Sequence, residues 1–146
     1  VHAPFRTEAD ACLRAENQVE YFGYGPTESY SDKHHSCWID RFAATVDELH
    51  EDYVRPQENG SHWHCDEVRV GGLKAEGSKP LSFNVSYYTP EELTKKAHNY
   101  ELEKSGHVIW HLDYGMSGVG SNSCGPELLK QYRVDEEEIR WEVKLS

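Results

Sequence analysis

Basic residues are scarce in this chain, with 15 Lys and Arg against 26 Asp and Glu and a formal charge of −11. Phosphate is repelled by a surface of that sign, which argues against nucleic acid and anionic membranes as partners. Long apolar runs are absent too, so nothing is built to span a bilayer. The opening Val1-His2-Ala3-Pro4-Phe5 has neither the charged nor the apolar region of a signal peptide, and Met is missing from position 1. The chain therefore reads as an excised piece of a longer protein. Cysteine is sparse: Cys12, Cys37, Cys65 and Cys124 are too few and too scattered for a secreted disulfide framework. They read as reduced thiols in a cytoplasmic protein.

What is present is aromatic and alternating. Four Trp, nine Tyr and four Phe in 146 residues can fill the core of one domain covering residues 1–146. Ile139, Trp141, Val143 and Leu145 alternate with charged residues, the period-2 signature of a half-buried strand. Leu81, Phe83, Val85 and Tyr87 repeat it, as do Val108, Trp110, Leu112 and Tyr114, and shorter strands are expected at residues 19–22 and 67–70. The fold class is thus mainly β, antiparallel, with one helix. That helix opens with Thr89 as N-cap, Pro90 at the first position and Glu92 completing a capping box, and is expected to run to about Leu102. Residues 74–80, which include Gly77 and Pro80, read as an exposed loop.

Three turn-rich motifs follow one another in order. The first is Gly23-Tyr24-Gly25-Pro26 leading to Glu28-Ser29-Tyr30 and Asp32; the second is Tyr53-Val54, then Pro56-Gln57-Glu58-Asn59-Gly60; the third runs Gly118-Val119-Gly120-Ser121-Asn122-Ser123-Cys124-Gly125-Pro126. On these motifs the chain, from about Val19 to its end, resembles the C-terminal, small-chain region of the large glycoside-hydrolase β-galactosidases of the lac-operon type. The resemblance implies an antiparallel β-sandwich, the C-terminal half of a supersandwich domain also seen in galactose mutarotases. Strands whose neighbours lie in the missing half then either close a smaller sandwich or pair with another copy as a homo-oligomer.

The resemblance also implies where the chemistry is. A retaining glycosidase needs two carboxyl groups ~5 Å apart across the scissile bond, and in this family both sit on a barrel domain of the same polypeptide. No motif like their surroundings occurs here, so no catalytic residue is assigned. The fragment alone is expected to be inactive and to need no cofactor. His34-His35-Ser36-Cys37 and His62-Trp63-His64-Cys65 hold zinc-ligand types without zinc-ligand spacing, and read as ordinary histidines with no metal. The first two motifs read as rigid corners.

The glycine-dense third motif is different, because its tip offers small hydrogen-bonding groups. In the family this loop reaches the sugar site, where a lac-operon-type enzyme places a stacking Trp; here the matching position holds Cys124. Asn122, Ser123 and Cys124 are therefore the expected substrate-binding residues. The whole enzyme would hydrolyse terminal β-D-galactosides, and its partners would be the β-galactoside sugar and the barrel domain. A rival reading is a carbohydrate-binding module, which needs coplanar exposed aromatics among Tyr24, Tyr30, Trp63 and Tyr88. Another is a mutarotase-like isomerase, which needs a His and a carboxylate facing one cleft.

Overall fold

The structure, a computed structural model, describes residues 17–120 and 126–146. Among them six strands form one antiparallel sheet: β1 (Gln18–Gly25), β2 (Trp38–Thr45), β3 (His62–Val70), β4 (Leu73–Ser86), β5 (Ile109–Asp113) and β6 (Val143–Leu145). Their order is β2-β1-β3-β4-β5, with β6 pairing β4 beside β5. One short helix, α1 (Pro90–Lys95), follows β4. The chain is thus mainly antiparallel β, and this sheet is consistent with one layer of a sandwich.

The alternation places the core as expected. Leu81, Phe83 and Val85 of β4 meet Val19 and Tyr21 of β1, Val68 and Val70 of β3, and Trp110 and Leu112 of β5, all buried. Trp141 packs on this cluster and is half-buried. Phe83, Trp110 and Trp141 therefore share one interior. The Tyr21 ring lies edge-on to Phe83 at 5.1 Å, and His62 stacks on Phe83 at the same separation.

Residues 74–80 correct the sequence reading: they are strand, not loop. Gly71 and Gly72 both have positive φ, +52° and +84°, and form a two-residue reversal between Val70 and Leu73. Such a turn matches the twist of paired strands and fixes their register. Pairing then continues through Lys74, Ala75 and Glu76 despite Gly77 and Pro80. The register sets Glu67 opposite Glu76, and Lys74 bridges them at 2.9 Å and 2.6 Å. Hydrogen bonds from Lys74 and Arg41 hold the Glu67 carboxyl down at about 2.

The helix begins as expected and ends early. Thr89 Oγ1 accepts the Glu92 N–H at 3.0 Å, with Pro90 at the start. The Glu92 carboxylate does not complete the box but accepts the Glu103 N–H at 2.9 Å and pairs with Lys96. Only Leu93 is buried in α1, and the polar run after it has no apolar face to continue packing. A separate 3-10 turn forms at Asn99–Glu101, where Glu101 accepts the Ala97 and His98 N–H groups. The C-terminal strand is likewise shorter than the alternation suggests, Val143–Leu145 alone, although Ser78 N–H still reaches the Glu142 carbonyl at 2.8 Å.

Candidate functional site

The three turn motifs meet in space. β1 delivers the first at its end, where the Gly25-Pro26 peptide is cis and the chain turns toward Glu28. Gly23 and Gly25 are packed so closely, against Cys65 and against Tyr21 and Phe42, that neither position has room for a side chain. Ser29 then joins the second motif, its N–H donating to the Ser61 carbonyl at 2.7 Å and its hydroxyl accepting the Trp63 N–H at 2.9 Å.

Glu28 is the hub of the junction. It is 6% exposed, and its carboxylate accepts from Lys33 Nζ, Tyr53 Oη, Tyr30 Oη at 3.2 Å and the Gly60 N–H at 2.9 Å. Burial pushes the carboxyl up, but the hydrogen bonds from Lys33, Tyr53 and Gly60 outweigh it and hold the group below its ordinary range. Gly60 reaches this donor position with φ +70°, in a place where a Cβ would collide with the Leu49 carbonyl. Neighbouring Asn59 locks the same turn, accepting the Glu51 N–H and donating to the Gln57 carbonyl, both at 2.9 Å.

Asp32 joins the first motif to the third. Its carboxylate accepts the Val119 N–H at 2.9 Å and the Gly120 N–H at 2.8 Å. Gly118 lies against that carboxylate with no room for a Cβ, so only glycine allows the approach. The Gly118 N–H donates to the Tyr132 carbonyl at 2.8 Å, and Ser117 Oγ accepts the Val134 N–H at 3.0 Å. The stem of the glycine-rich loop is thus held from two sides. Asn122, Ser123 and Cys124, the expected substrate-binding residues, lie outside the described residues.

The histidines have other employment. Among the described residues no three His, Cys, Asp or Glu side chains converge as metal ligands. His34 Nδ1–H donates to the Tyr30 carbonyl at 3.1 Å and its ring packs on Trp63. Tyr24 stacks on Trp63 at 5.2 Å, Tyr30 is buried, and Tyr88 packs against His50. Tyr24 and Trp63 face each other, Tyr30 is inside the protein and Tyr88 packs on a different ring, so the four form no flat platform for a sugar. Burial pushes the Cys65 thiol up to about 12, which makes it an inert core group. No helix among the described residues is long and apolar enough to cross a membrane.

His62 carries a pH dependence. It is 1% exposed, Nδ1–H reaches the Tyr24 carbonyl at 3.3 Å, and burial lowers its pKa to about 4. The folded form keeps it neutral, whereas the unfolded chain takes up a proton near 6.5. Stability is therefore full above about pH 6.5 and falls as pH drops toward 4, by about 3 kcal/mol from this group. Urea titrations followed by Trp fluorescence should show that loss, and His62→Phe should flatten it. An equal slope in the variant would remove His62 as its cause.

The sequence pattern of the Beta galactosidase small chain family matches residues 11–145. This chain belongs to that family. Its relatives include the beta-galactosidase of Actinobacillus pleuropneumoniae, 53% identical over 127 residues, covering 87% of this chain and 13% of that protein. The beta-galactosidase of Staphylococcus xylosus is 38% identical over 137 residues, 91% of this chain and 14% of that protein. That of Vibrio cholerae is 37% identical over 137 residues, with 90% and 13% covered. The chain spans about one-seventh of the length of these family members.

Glu28 and Asp32 belong to the quoted first motif, yet sequence reasoning gave them no role. Lys33 and Tyr30 are near Glu28 in sequence, but the partners that join the motifs, Tyr53 and Gly60 for Glu28 and Val119 and Gly120 for Asp32, lie 25 to 88 positions away. The one available signal was charged residues set within a Gly-Pro turn, and it does not name a partner.

Proposed function

We propose that this chain is the C-terminal, non-catalytic region of a retaining β-galactosidase that hydrolyses terminal β-D-galactosides. The acid/base and nucleophile belong to the barrel domain of the same polypeptide. The loop at residues 115–126 completes the sugar site, with Asn122, Ser123 and Cys124 lining it. Cys124 gives no aromatic platform, so the loop acts through small polar groups. The observation that carries this reading is the double hydrogen bond from Val119 and Gly120 to Asp32. It spends a carboxylate on fixing the loop's backbone, and a fixed stem is what a ligand-contacting tip requires. The self-packed aromatic cluster argues against a stand-alone binding module.

The test is kinetic and uses the complete enzyme. Deleting residues 121–125 should raise KM or lower kcat on a chromogenic β-galactoside by about tenfold, the scale of a lost positioning contact. If both parameters stay within about twofold, equivalent to about 0.5 kcal/mol of ordinary surface change, the loop is not part of the site.

A further inference from the structure

The second motif supplies no group to the proposed sugar site, yet it holds the residue pair of this chain most prone to rearrange covalently. Asparagine is among the thermally labile residues, and the hazard is greatest before glycine, whose backbone has no Cβ and bends most freely. Of Asn17, Asn59, Asn84, Asn99 and Asn122, only Asn59 precedes a glycine. The reaction is intramolecular. The Gly60 nitrogen loses its proton and attacks the Asn59 side-chain carbon Cγ, the Cγ–Nδ2 bond breaks, and ammonia leaves. The cyclic imide that forms takes up water at either of its carbonyls and opens to aspartate or to isoaspartate. Nothing is oxidised or reduced.

In the folded chain every group this reaction needs is engaged. Asn59 is 5% exposed, its Oδ1 accepts the Glu51 N–H and its Nδ2 donates to the Gln57 carbonyl, both at 2.9 Å. The amide therefore cannot swing onto the following nitrogen without breaking both bonds. That nitrogen is itself occupied, because the Gly60 N–H donates to the Glu28 carboxylate at 2.9 Å. Loss of its proton there would set a nitrogen anion against a carboxylate. The main chain is fixed as well: the Asn59 carbonyl accepts Asn84 Nδ2, and Gly60 sits at φ +70° against the Leu49 carbonyl.

We propose that Asn59-Gly60 is a latent deamidation site that Glu28 keeps closed, and that it reacts only when the junction of the first and second motifs opens. The step is one-way. Aspartate at position 59 would turn an acceptor toward the Gln57 carbonyl, which now receives a donor, and would add a charge to a turn that already holds the Glu28 carboxylate. Isoaspartate would lengthen the main chain between the two residues and pull the Gly60 N–H out of register with Glu28. With either product the junction does not re-form as it was, so the covalent change records the opening.

The test is peptide mass spectrometry on the complete enzyme held in mildly alkaline buffer, following conversion at Asn59. Native wild type should react at least about a hundredfold more slowly than the same protein in urea, because a site that reacts only from an open state is slowed by the rarity of that state. Glu28→Gln should react at least about tenfold faster than native wild type, the scale of a weakened charge-assisted hydrogen bond. Tyr53→Phe keeps the Gly60 acceptor but removes a donor that steadies it, and should fall between the two. Val70→Ala, a core change at the far end of β3, should stay within about threefold of wild type, since the opening is local. The proposal is overturned by equal rates in native and unfolded protein, or by unchanged rates in both Glu28→Gln and Tyr53→Phe. It is overturned equally if Val70→Ala accelerates the reaction as much as Glu28→Gln, which would make the whole fold the lock. Asn59→Asp should unfold at a lower urea concentration than wild type, and an equal midpoint would overturn the one-way step.

Discussion

Glu28→Ala is expected to destabilise the protein by about 3–5 kcal/mol, a large share of the ~5–15 kcal/mol that holds a domain folded. The substitution removes an acceptor that four donors share. Lys33 is half exposed and can turn to water, so its charge is not stranded. Tyr30 is 4% exposed, and the Gly60 N–H lies in a buried turn. Each lost partner of that kind costs about 1–3 kcal/mol, and the lost bonds are charge-assisted ones. Glu28→Gln keeps one acceptor and should cost about half as much. The pH dependence has a definite sign: the carboxyl sits below its ordinary range when folded, so its contribution is intact above that range, declines as pH falls below it and is gone once pH has passed the lowered folded value. Urea unfolding of wild type and both variants, at neutral pH and in mild acid, measures all of this. A cost for Glu28→Ala under about 1 kcal/mol, the scale of an exposed ion pair, would show that the buried junction is not what holds the motifs together.

The same junction explains what was legible in the residues and what was not. β4 and β5 could be read because side chains alternate with period 2, and Phe83, Val85, Trp110 and Leu112 alternate without interruption. β2 could not: Trp38 and Ile39 are exposed on an edge strand, so no buried face imposes a pattern. β3 hides its alternation behind a bulge, where His64 takes φ 57° and Cys65 and Val68 both reach the core. Gly77 and Pro80 point to a loop, and no nearby residue says that pairing with β3 through the Gly71-Gly72 reversal overrides them. At the candidate site, glycine density marks the stem at residues 115–120 as irregular chain. Its anchor, Asp32, is 87 positions from Val119, and no local rule connects them.

Asp32→Ala in the complete enzyme is expected to lower kcat/KM on a β-galactoside by about ten- to a hundredfold, while changing stability by only about 1 kcal/mol. The asymmetry follows from where the two N–H groups lie. Val119 and Gly120 are exposed, so water replaces the carboxylate and little folding energy is lost. Geometry is lost instead, because water does not fix the direction in which the chain leaves Gly120 toward residues 121–125. A displacement of about 1 Å at a contact to substrate is enough for a hundredfold effect. Asp32→Asn retains one carbonyl oxygen and should recover part of the activity, whereas Gly118→Ala, which drives a methyl group into the same carboxylate, should reproduce the loss. Separating kcat from KM identifies the step: a rise in KM alone means weaker sugar contact, and a fall in kcat means a contact made chiefly in the transition state. If Asp32→Ala is folded and its kcat/KM stays within about twofold of wild type, the clamp between the first and third motifs serves the fold and not the sugar site.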